Sequence, residues 1–333
     1  MPARRSVFGS VEWARICEQF RGVEAGLFAM ERGQASICHP MLLRPLSGLP
    51  FAEGFEERWD ATTPDYTGPV VQGDDSDLLS RFRDGHRELA SQHGIVAEFA
   101  HMHPWSEGFD LLHEDCTRNR EIVWINVAQD PEHIYRKDLD RSCRNKVSQA
   151  QRAGVRVVAD SSDRAVAEFY RIYTGTMRRH QALDRYYFSL EYFLKIRDEL
   201  PENARYVFAE HEGRRISAYL YMHDDHHVYS YLGGTDAEFA QVRPTNLVVW
   251  ETTVWAHQMG KKRFILGAGY RPNDGVFQFK ASFSPFRKPF YVYKRIHRHD
   301  DYARLEERFR AHHGLKDNDD DYFPSYRRTP AHA

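Results

Sequence analysis

Cysteine is scarce in this chain: four residues in 333, with Cys17, Cys38, Cys116 and Cys143 far apart and no C-x-x-C pair. That scarcity argues against a disulfide framework or a thiolate zinc site and suits a reducing compartment. Long apolar runs are missing too. No stretch approaches the roughly eighteen apolar residues of a membrane span. The two arginines in the opening MPARRSVFGSVEW lead into no apolar segment. A cytoplasmic protein without a membrane span is expected. An excess of charge of either sign is equally absent, since 46 Lys and Arg face 48 Asp and Glu. No overall field would draw in a polyanion, so any nucleic-acid contact has to come from a local basic patch. Neither a low-complexity linker nor an internal repeat of roughly 20 to 50 residues is evident. The length exceeds one ordinary core, so two domains are expected.

What is present is an alternation of helix and strand signals. Ser10 stands where a helix cap is needed, and residues 23–30 and 34–40 read as a hairpin turning at Glu31-Arg32-Gly33. The run DATTPDYTGP (60–69) is loop chemistry, with two prolines and a glycine. Asp77 is the expected cap of a helix whose Leu78, Phe82 and Leu89 share a face, with Gly94 as its stop. Residues 95–99 and 121–127 read as strands. Residues 138–153 read as an amphipathic helix with Leu139, Cys143, Val147 and Ala150 on one stripe. A strand (155–159), a helix capped by Asp163 and a helix opened by Ser189 follow. Three strands (206–210, 215–222, 228–232) lead to a helix starting at Pro244. A strand at 263–266, a short helix or turn at 273–283, a strand at 289–297 and a helix carrying Tyr302, Leu305 and Phe309 complete the order. The charged tail from Lys316 reads as poorly ordered.

From residue 155 onward this order resembles an N-acetyltransferase-type (GNAT) domain. The segments RNKVSQAQRAGVRV (144–157), YLGGT (231–235), RFILGAG (263–269) and DGVFQFKASF (274–283), with DATTPDYTGP earlier, resemble the FemABX family in order and spacing. The resemblance covers residues 8 to 300 or so. It implies an α/β (α+β) fold of two tandem GNAT-like domains, with mixed, mostly antiparallel sheets flanked by helices. Domains are expected at 1–135 (acceptor side) and 136–315 (donor side, catalytic), with 316–333 as a flexible tail. It also implies an aminoacyltransferase that forms a peptide bond. Such an enzyme takes an amino acid from aminoacyl-tRNA and places it on an amine of a peptidoglycan precursor or of a peptide or nucleoside metabolite.

Lys280 is the first candidate for chemistry, because its neighbours in FQFKASF would pull the segment inward. By resemblance such a lysine lies at the acyl-donor end of the cleft, where it stabilises charge on the attacked carbonyl or the leaving ribose oxygen. The plainer reading is a lysine snorkelling over Phe279 and Phe283. Tyr231 is the second catalytic candidate, with Gly233-Gly234 read as room for a substrate to approach the backbone. The resemblance puts Arg185, Tyr187 and Phe279, with Arg44 and Tyr66 of the first half, on the acceptor, whose phosphate suits a bidentate arginine. Packing plus a surface arginine accounts for the same residues. Lys137, Arg141 and Arg144 share a polar helix face and form a candidate tRNA seat, although such a face is more often merely solvated.

The 18 histidines include His101-x-His103, the HDDHH run at 223–227 and His297-x-His299, yet none matches H-E-x-x-H or a Cys/His pattern. No metal is expected. No G-x-S-x-G elbow is present either, so direct attack in a ternary complex is preferred to a covalent intermediate. Asp110, Glu251, a tyrosine or the substrate itself would take the proton. Coenzyme A-dependent GNAT domains grip pyrophosphate with a glycine-bearing turn ahead of a helix. Here the equivalent stretch, residues 240–246, has no glycine and contains Pro244, which lacks an N–H. That favours aminoacyl-tRNA as co-substrate, with no bound cofactor. The alternative left open is an acyl-CoA-dependent N-acyltransferase acting on a small-molecule amine.

Overall fold

Two α/β units divide the chain in this computed structural model, which describes residues 6–106, 108–271, 273–315 and 322–329. One unit is Met1–Asn119 with Phe290–Ala333; the other is Arg120–Pro289. In chain order the helices are α1 (Val11–Arg21), α2 (Ser76–Gln92), α3 (Phe109–Leu112), α4 (Pro131–His133), α5 (Arg141–Arg152), α6 (Asp163–Arg179), α7 (Leu190–Glu199), α8 (Pro244–Gln258), α9 (Gly275–Ala281) and α10 (His299–His313). The strands are β1 (Glu24–Arg32), β2 (Ala35–Pro45), β3 (Trp59–Thr62), β4 (Val70–Gln72), β5 (Ile95–His101), β6 (Cys116–Ile125), β7 (Arg156–Ala159), β8 (Ala204–His211), β9 (Arg214–His223), β10 (His227–Thr235), β11 (Arg263–Gly267) and β12 (Arg287–Ile296).

Local chemistry explains most of these boundaries. Ser10 caps α1 and Ser189 caps α7, each hydroxyl accepting a backbone N–H of the first turn. Two caps lie ahead of the expected residues. Asp75, not Asp77, opens α2 by accepting from the N–H groups of Asp77 and Leu78, and Ser162, not Asp163, opens α6. An acidic residue in the first turn is favoured by the helix dipole, so in sequence it imitates a cap. The stretch 60–69 is not all loop, since β3 runs into it. The helix expected at 138–153 begins at Arg141 with Asp140 as cap, after a π-turn at Ile134–Asp138.

In the first unit the strands order as β1-β2-β3-β5-β12, with β4 on β2. All pairs are antiparallel except β3 with β5, whose crossover contains α2. In the second unit the order is β7-β8-β9-β10-β11-β6, again antiparallel except for one pair, β10 with β11, joined through α8. The two units therefore repeat one run. In each, antiparallel strands lead through a helical crossover to a parallel strand, whose other edge takes an antiparallel strand from a distant part of the chain, β12 on β5 and β6 on β11. This is the tandem α/β arrangement expected, and the duplication lies in the pairing rather than in any repeated residues.

Packing moves the domain boundaries from those expected near 135 and 315. β12 pairs with β5 from Val292↔His101 to Ile296↔Ala97. Leu305 and Phe309 of α10 join Leu46, Phe55, Val96 and Tyr326 in a small apolar core. Both elements thus belong to the first unit. The tail needs a second correction. Residues 316–321 and 330–333 lie outside the described residues, but Tyr326 is buried, and its hydroxyl donates to Asp60 Oδ1 at 2.6 Å. Arg327 Nε donates to Asp60 Oδ2 at 2.5 Å, so this part of the tail is fixed by a buried carboxylate. In the second unit Cys143, Val147 and Ala150 of α5 pack with Leu247, Val248 and Ala256 of α8. Among the described residues no helix is long and apolar enough to cross a membrane.

Arg327→Ala leaves the buried Asp60 charge without its cation. The expected loss is about 3 kcal/mol of stability, read as a lower urea midpoint; an unchanged midpoint would show that the tail does not secure the first unit.

Candidate active site

A parallel pair that separates creates the opening. β10 and β11 pair at three positions, His227 with Arg263, Val228 with Phe264 and Tyr229 with Ile265. Beyond them β10 stays on β9 and β11 stays on β6. The two strands therefore part toward their C-terminal ends, the place where open α/β sheets hold ligands. The corresponding pair of the first unit, β3 with β5, is closed again by a parallel bridge between Thr67 and Met102.

Tyr231 stands where the strands diverge. The register of β10 on β9 slips between Ser230 and Leu232, and such a bulge re-aims the side chain it skips. The Tyr231 hydroxyl lies 2.6 Å from that of Tyr192. Phe188 stacks on Tyr192 with centroids 4.4 Å apart, and the Tyr173 hydroxyl donates to the Tyr186 carbonyl at 2.7 Å. These contacts tether the segment carrying Arg185 and Tyr187. Arg185 is exposed above the Tyr186 ring, and Tyr187 is 40% exposed.

On the other side of the opening, the chain leaving β11 wraps around Asp274. That carboxylate accepts from the N–H groups of Phe277 at 2.8 Å, Arg271 at 2.9 Å and Tyr270 at 2.7 Å, which holds its pKa below the usual range. A Cβ at Gly269 would lie 2.1 Å from Asp274 Oδ1, so the wrap needs glycine there. Arg120 fixes the same turn by donating to the Gly269 carbonyl at 2.6 Å. Asp274 also caps α9, from which Phe277 and Phe279 pack on the core with the buried Phe283. Lys280 Nζ donates to the Ala268 carbonyl, the first beyond β11, at 2.7 Å. Burial pushes its pKa down to about 8, against the opposing charge of Asp274. The stem does snorkel, but the ammonium ends on a carbonyl at the splayed strand end rather than in bulk water. One of its three donors is used there, and the other two have no partner among the described residues. Burial raises the pKa of Tyr270 in the loop after β11, with Tyr186 adding to the effect and Arg185 opposing it.

The structure thus ties Tyr231, through Tyr192 and Phe188, to the segment carrying Arg185 and Tyr187, and sets Lys280 on the carbonyl just past β11, while the other candidates fall elsewhere. Phe279 lies toward the core, 5.2 Å from Phe283. Arg44 and Tyr66 belong to the first unit. Burial lowers the Arg44 pKa, with Arg327 adding to the effect and Asp60 opposing it, while Tyr66 packs on Phe290 at 5.5 Å. Lys137 and Arg141 are exposed, but the Arg144 guanidinium turns back onto the Leu139 and Arg136 carbonyls. The space beside Gly233-Gly234 is filled by protein. A Cβ at Gly233 would lie 2.2 Å from the Tyr219 ring, and one at Gly234 2.5 Å from Thr176 Oγ1. Asp110 is exposed in the first unit, whereas burial raises the pKa of Glu251 on α8. Tyr192, Tyr173, Tyr270 and Arg120 were missed in the sequence. Their one signal is an aromatic content of 14%, which names no position.

Residues 137–281 match the acetyltransferase (GNAT) domain family. Among curated proteins none matches the chain. Its fold is FemX-like: the crystal structure of FemX superposes with a TM-score of 0.69 at 15% identity, covering 88% of this chain and 93% of that one. A conserved protein of unknown function from Bacteroides thetaiotaomicron gives 0.60 at 10% identity over 88% and 93%. A structure from Agrobacterium fabrum described as "C-terminal Domain (DUF2156) of Putative Lysylphosphatidylglycerol Synthetase" gives 0.53 at 15% over 81% and 84%. Within the matched residues, the turn into α8 has no glycine. Pro244 has no N–H, the Arg243 N–H is bonded to the Ala240 carbonyl at 3.2 Å, and the Thr245 hydroxyl is 2.9 Å from that of Thr235.

Gly234→Ala forces the new methyl against Thr176 and the Ile172 carbonyl of α6. The expected cost is about 1–3 kcal/mol, measured by urea unfolding. An unperturbed midpoint would restore Gly234 as a residue kept open for substrate.

Proposed function

We propose that this chain forms an amide by moving an aminoacyl group from aminoacyl-tRNA to an amine of a peptidoglycan precursor or of a peptide or nucleoside metabolite. The observation that carries this reading is the splay of β10 and β11 with the Lys280 ammonium anchored on the Ala268 carbonyl at its edge. In the reaction the amine nitrogen attacks the ester carbonyl, the C–N bond forms, and the C–O bond to the tRNA ribose breaks. The amine proton ends on the ribose oxygen. Lys280 donates to the oxyanion of the tetrahedral intermediate, a role typically contributing a few kcal/mol. The Tyr231 hydroxyl, coupled to Tyr192, passes the proton between amine and leaving oxygen. Arg185, exposed beside Tyr186 and Tyr187, holds a phosphate of the acceptor. Lys137 and Arg141 meet the tRNA backbone.

Three things support an aminoacyl ester over a coenzyme A thioester. The turn into α8 has no glycine, and Pro244 removes one of its backbone donors. The fold matches FemX over most of both chains. The Agrobacterium structure carries a name that specifies a lysyl product. Soluble cytoplasmic action belongs to the same proposal. The coenzyme A-dependent reading is separated by one treatment. Ribonuclease is expected to abolish amide formation from a mixture of charged tRNAs and candidate amines, read by mass, while transfer from acyl-coenzyme A would survive it.

Lys280→Ala is expected to lower kcat about a hundredfold to a thousandfold with little change in acceptor affinity. Because the ammonium is the active form, kcat should fall as pH rises through about 8. A kcat that rises through that pH would make Lys280 a base instead. Charge reversal at Lys137 and Arg141 should weaken tRNA binding and flatten its salt dependence, whereas Arg144→Ala should lower stability with the salt slope intact. Equal salt slopes in all variants would return the helix face to solvent.

A further inference from the structure

The core of the first unit contains a group of side chains with no part in amide formation. Glu98 on β5, His39 on β2 and His86 on α2 are each 0% exposed. His39 Nε2 lies 2.9 Å from Glu98 Oε1, and His86 Nε2 lies 3.2 Å from Oε2. His297, just beyond β12, places its Nε2 3.1 Å from Oε2 with its side chain 1% exposed. No lysine or arginine pairs with Glu98 among the described residues. A carboxylate taken wholly out of water needs a compensating positive charge.

Unmet polar atoms concentrate at the same spot. Neither nitrogen of His86 has a hydrogen-bond partner, nor does His39 Nδ1 or the Tyr293 hydroxyl. His86 Nε2 is close to Oε2 but is not aligned to donate to it. Buried polar atoms are normally satisfied, so several orphans in one place call for a missing partner. Packing holds the His86 ring there, stacked 5.9 Å from Phe82 and 5.2 Å from Phe28. One ligand atom from each of His39, His86 and Glu98 lies within 4.8 Å of the others. Zinc bonds of about 2.0–2.1 Å would bring tetrahedral ligand atoms to about 3.3 Å apart, close to the 2.9 and 3.2 Å seen around Glu98.

We propose that His39, His86 and Glu98 bind a divalent cation of the zinc class, with His297 as the positioning residue that orients the carboxylate. Imidazole and carboxylate donors without thiolate suit zinc among the common divalent ions. The cation is structural, since no ligand is open to a substrate. It ties β2, α2 and β5 together inside the first unit, and it neutralises Glu98. None of the three histidine clusters conspicuous in the sequence supplies a ligand; only His297 takes part, through the carboxylate.

The test uses full-length protein without a histidine tag, purified without chelator. Elemental analysis is expected to find about one zinc ion per chain, removable by a chelator with a fall in melting temperature that added Zn2+ reverses. Cobalt substitution should give visible d–d absorption. Glu98→Gln and His86→Phe, the latter preserving the aromatic packing, should abolish binding, and His297→Ala should weaken it about tenfold to a hundredfold. Folded wild-type protein that holds no zinc, and whose melting temperature ignores Zn2+, overturns the proposal. So does zinc retained undiminished by folded Glu98→Gln and His86→Phe.

Discussion

The hydrogen bonds that β10 and β11 do not make are the constraint on which the second unit depends. A parallel pair normally satisfies its backbone along its length, yet here pairing stops after Tyr229 and Ile265. The groups left behind have to find partners or water. Protein supplies part of the answer. Lys280 takes the Ala268 carbonyl, Arg120 takes that of Gly269, and Asp274 gathers the N–H groups of Tyr270 and Arg271. Each of these substitutes brings charge to the edge of the opening, which is why the place where the sheet fails is also where reactive side chains collect.

The first unit shows the same run of strands without the gap. Its parallel pair rejoins at Thr67 and Met102, and the His103 N–H donates to the Thr67 carbonyl at 2.6 Å. With its sheet closed, that unit has spent its polar residues inward. Glu98 collects histidines, and Asp60 collects Tyr326 and Arg327. One pattern of pairing thus carries two uses of charge, and the difference comes down to whether two parallel strands stay together over a few residues.

Helices and hairpins were legible because their signals are local. The stripe of Cys143, Val147 and Ala150 meets the core, and the hairpin expected around Glu31-Arg32-Gly33 forms, although Glu31 and Arg32 still pair in β1 and the turn is Gly33-Gln34. Lys280 was legible for a similar reason, since flanking phenylalanines fix which way its segment faces. What was hidden depends on partners distant in sequence. The bond between Arg327 and Asp60 joins positions 267 residues apart, and no local pattern says that an acidic-then-basic tail returns to the first unit. The pairing of Tyr192 with Tyr231 spans 39 residues and follows from a bulge, a feature without a composition of its own. Gly233-Gly234 misled in an instructive way. A glycine pair does mark a close approach, but the approaching groups are the Tyr219 ring and α6.

In the role proposed for Lys280, stability and catalysis pull against each other. Burial lowers its pKa from the ordinary 10.5 to about 8. Between those two values the unfolded chain binds the proton and the folded chain does not, so folding stability rises with pH across that window. Below about 8 both states carry the charge, and the folded protein bears the full cost of desolvating it. An oxyanion donor must be charged, so the role proposed for Lys280 needs the lysine in the form that folding disfavours. The cost persists because the ammonium is fixed from both sides, by the Ala268 carbonyl and by an α9 whose cap, Asp274, adds opposing charge. A lysine free to swing into water would lose the cost and, with it, the fixed direction that makes a donor useful to a transition state.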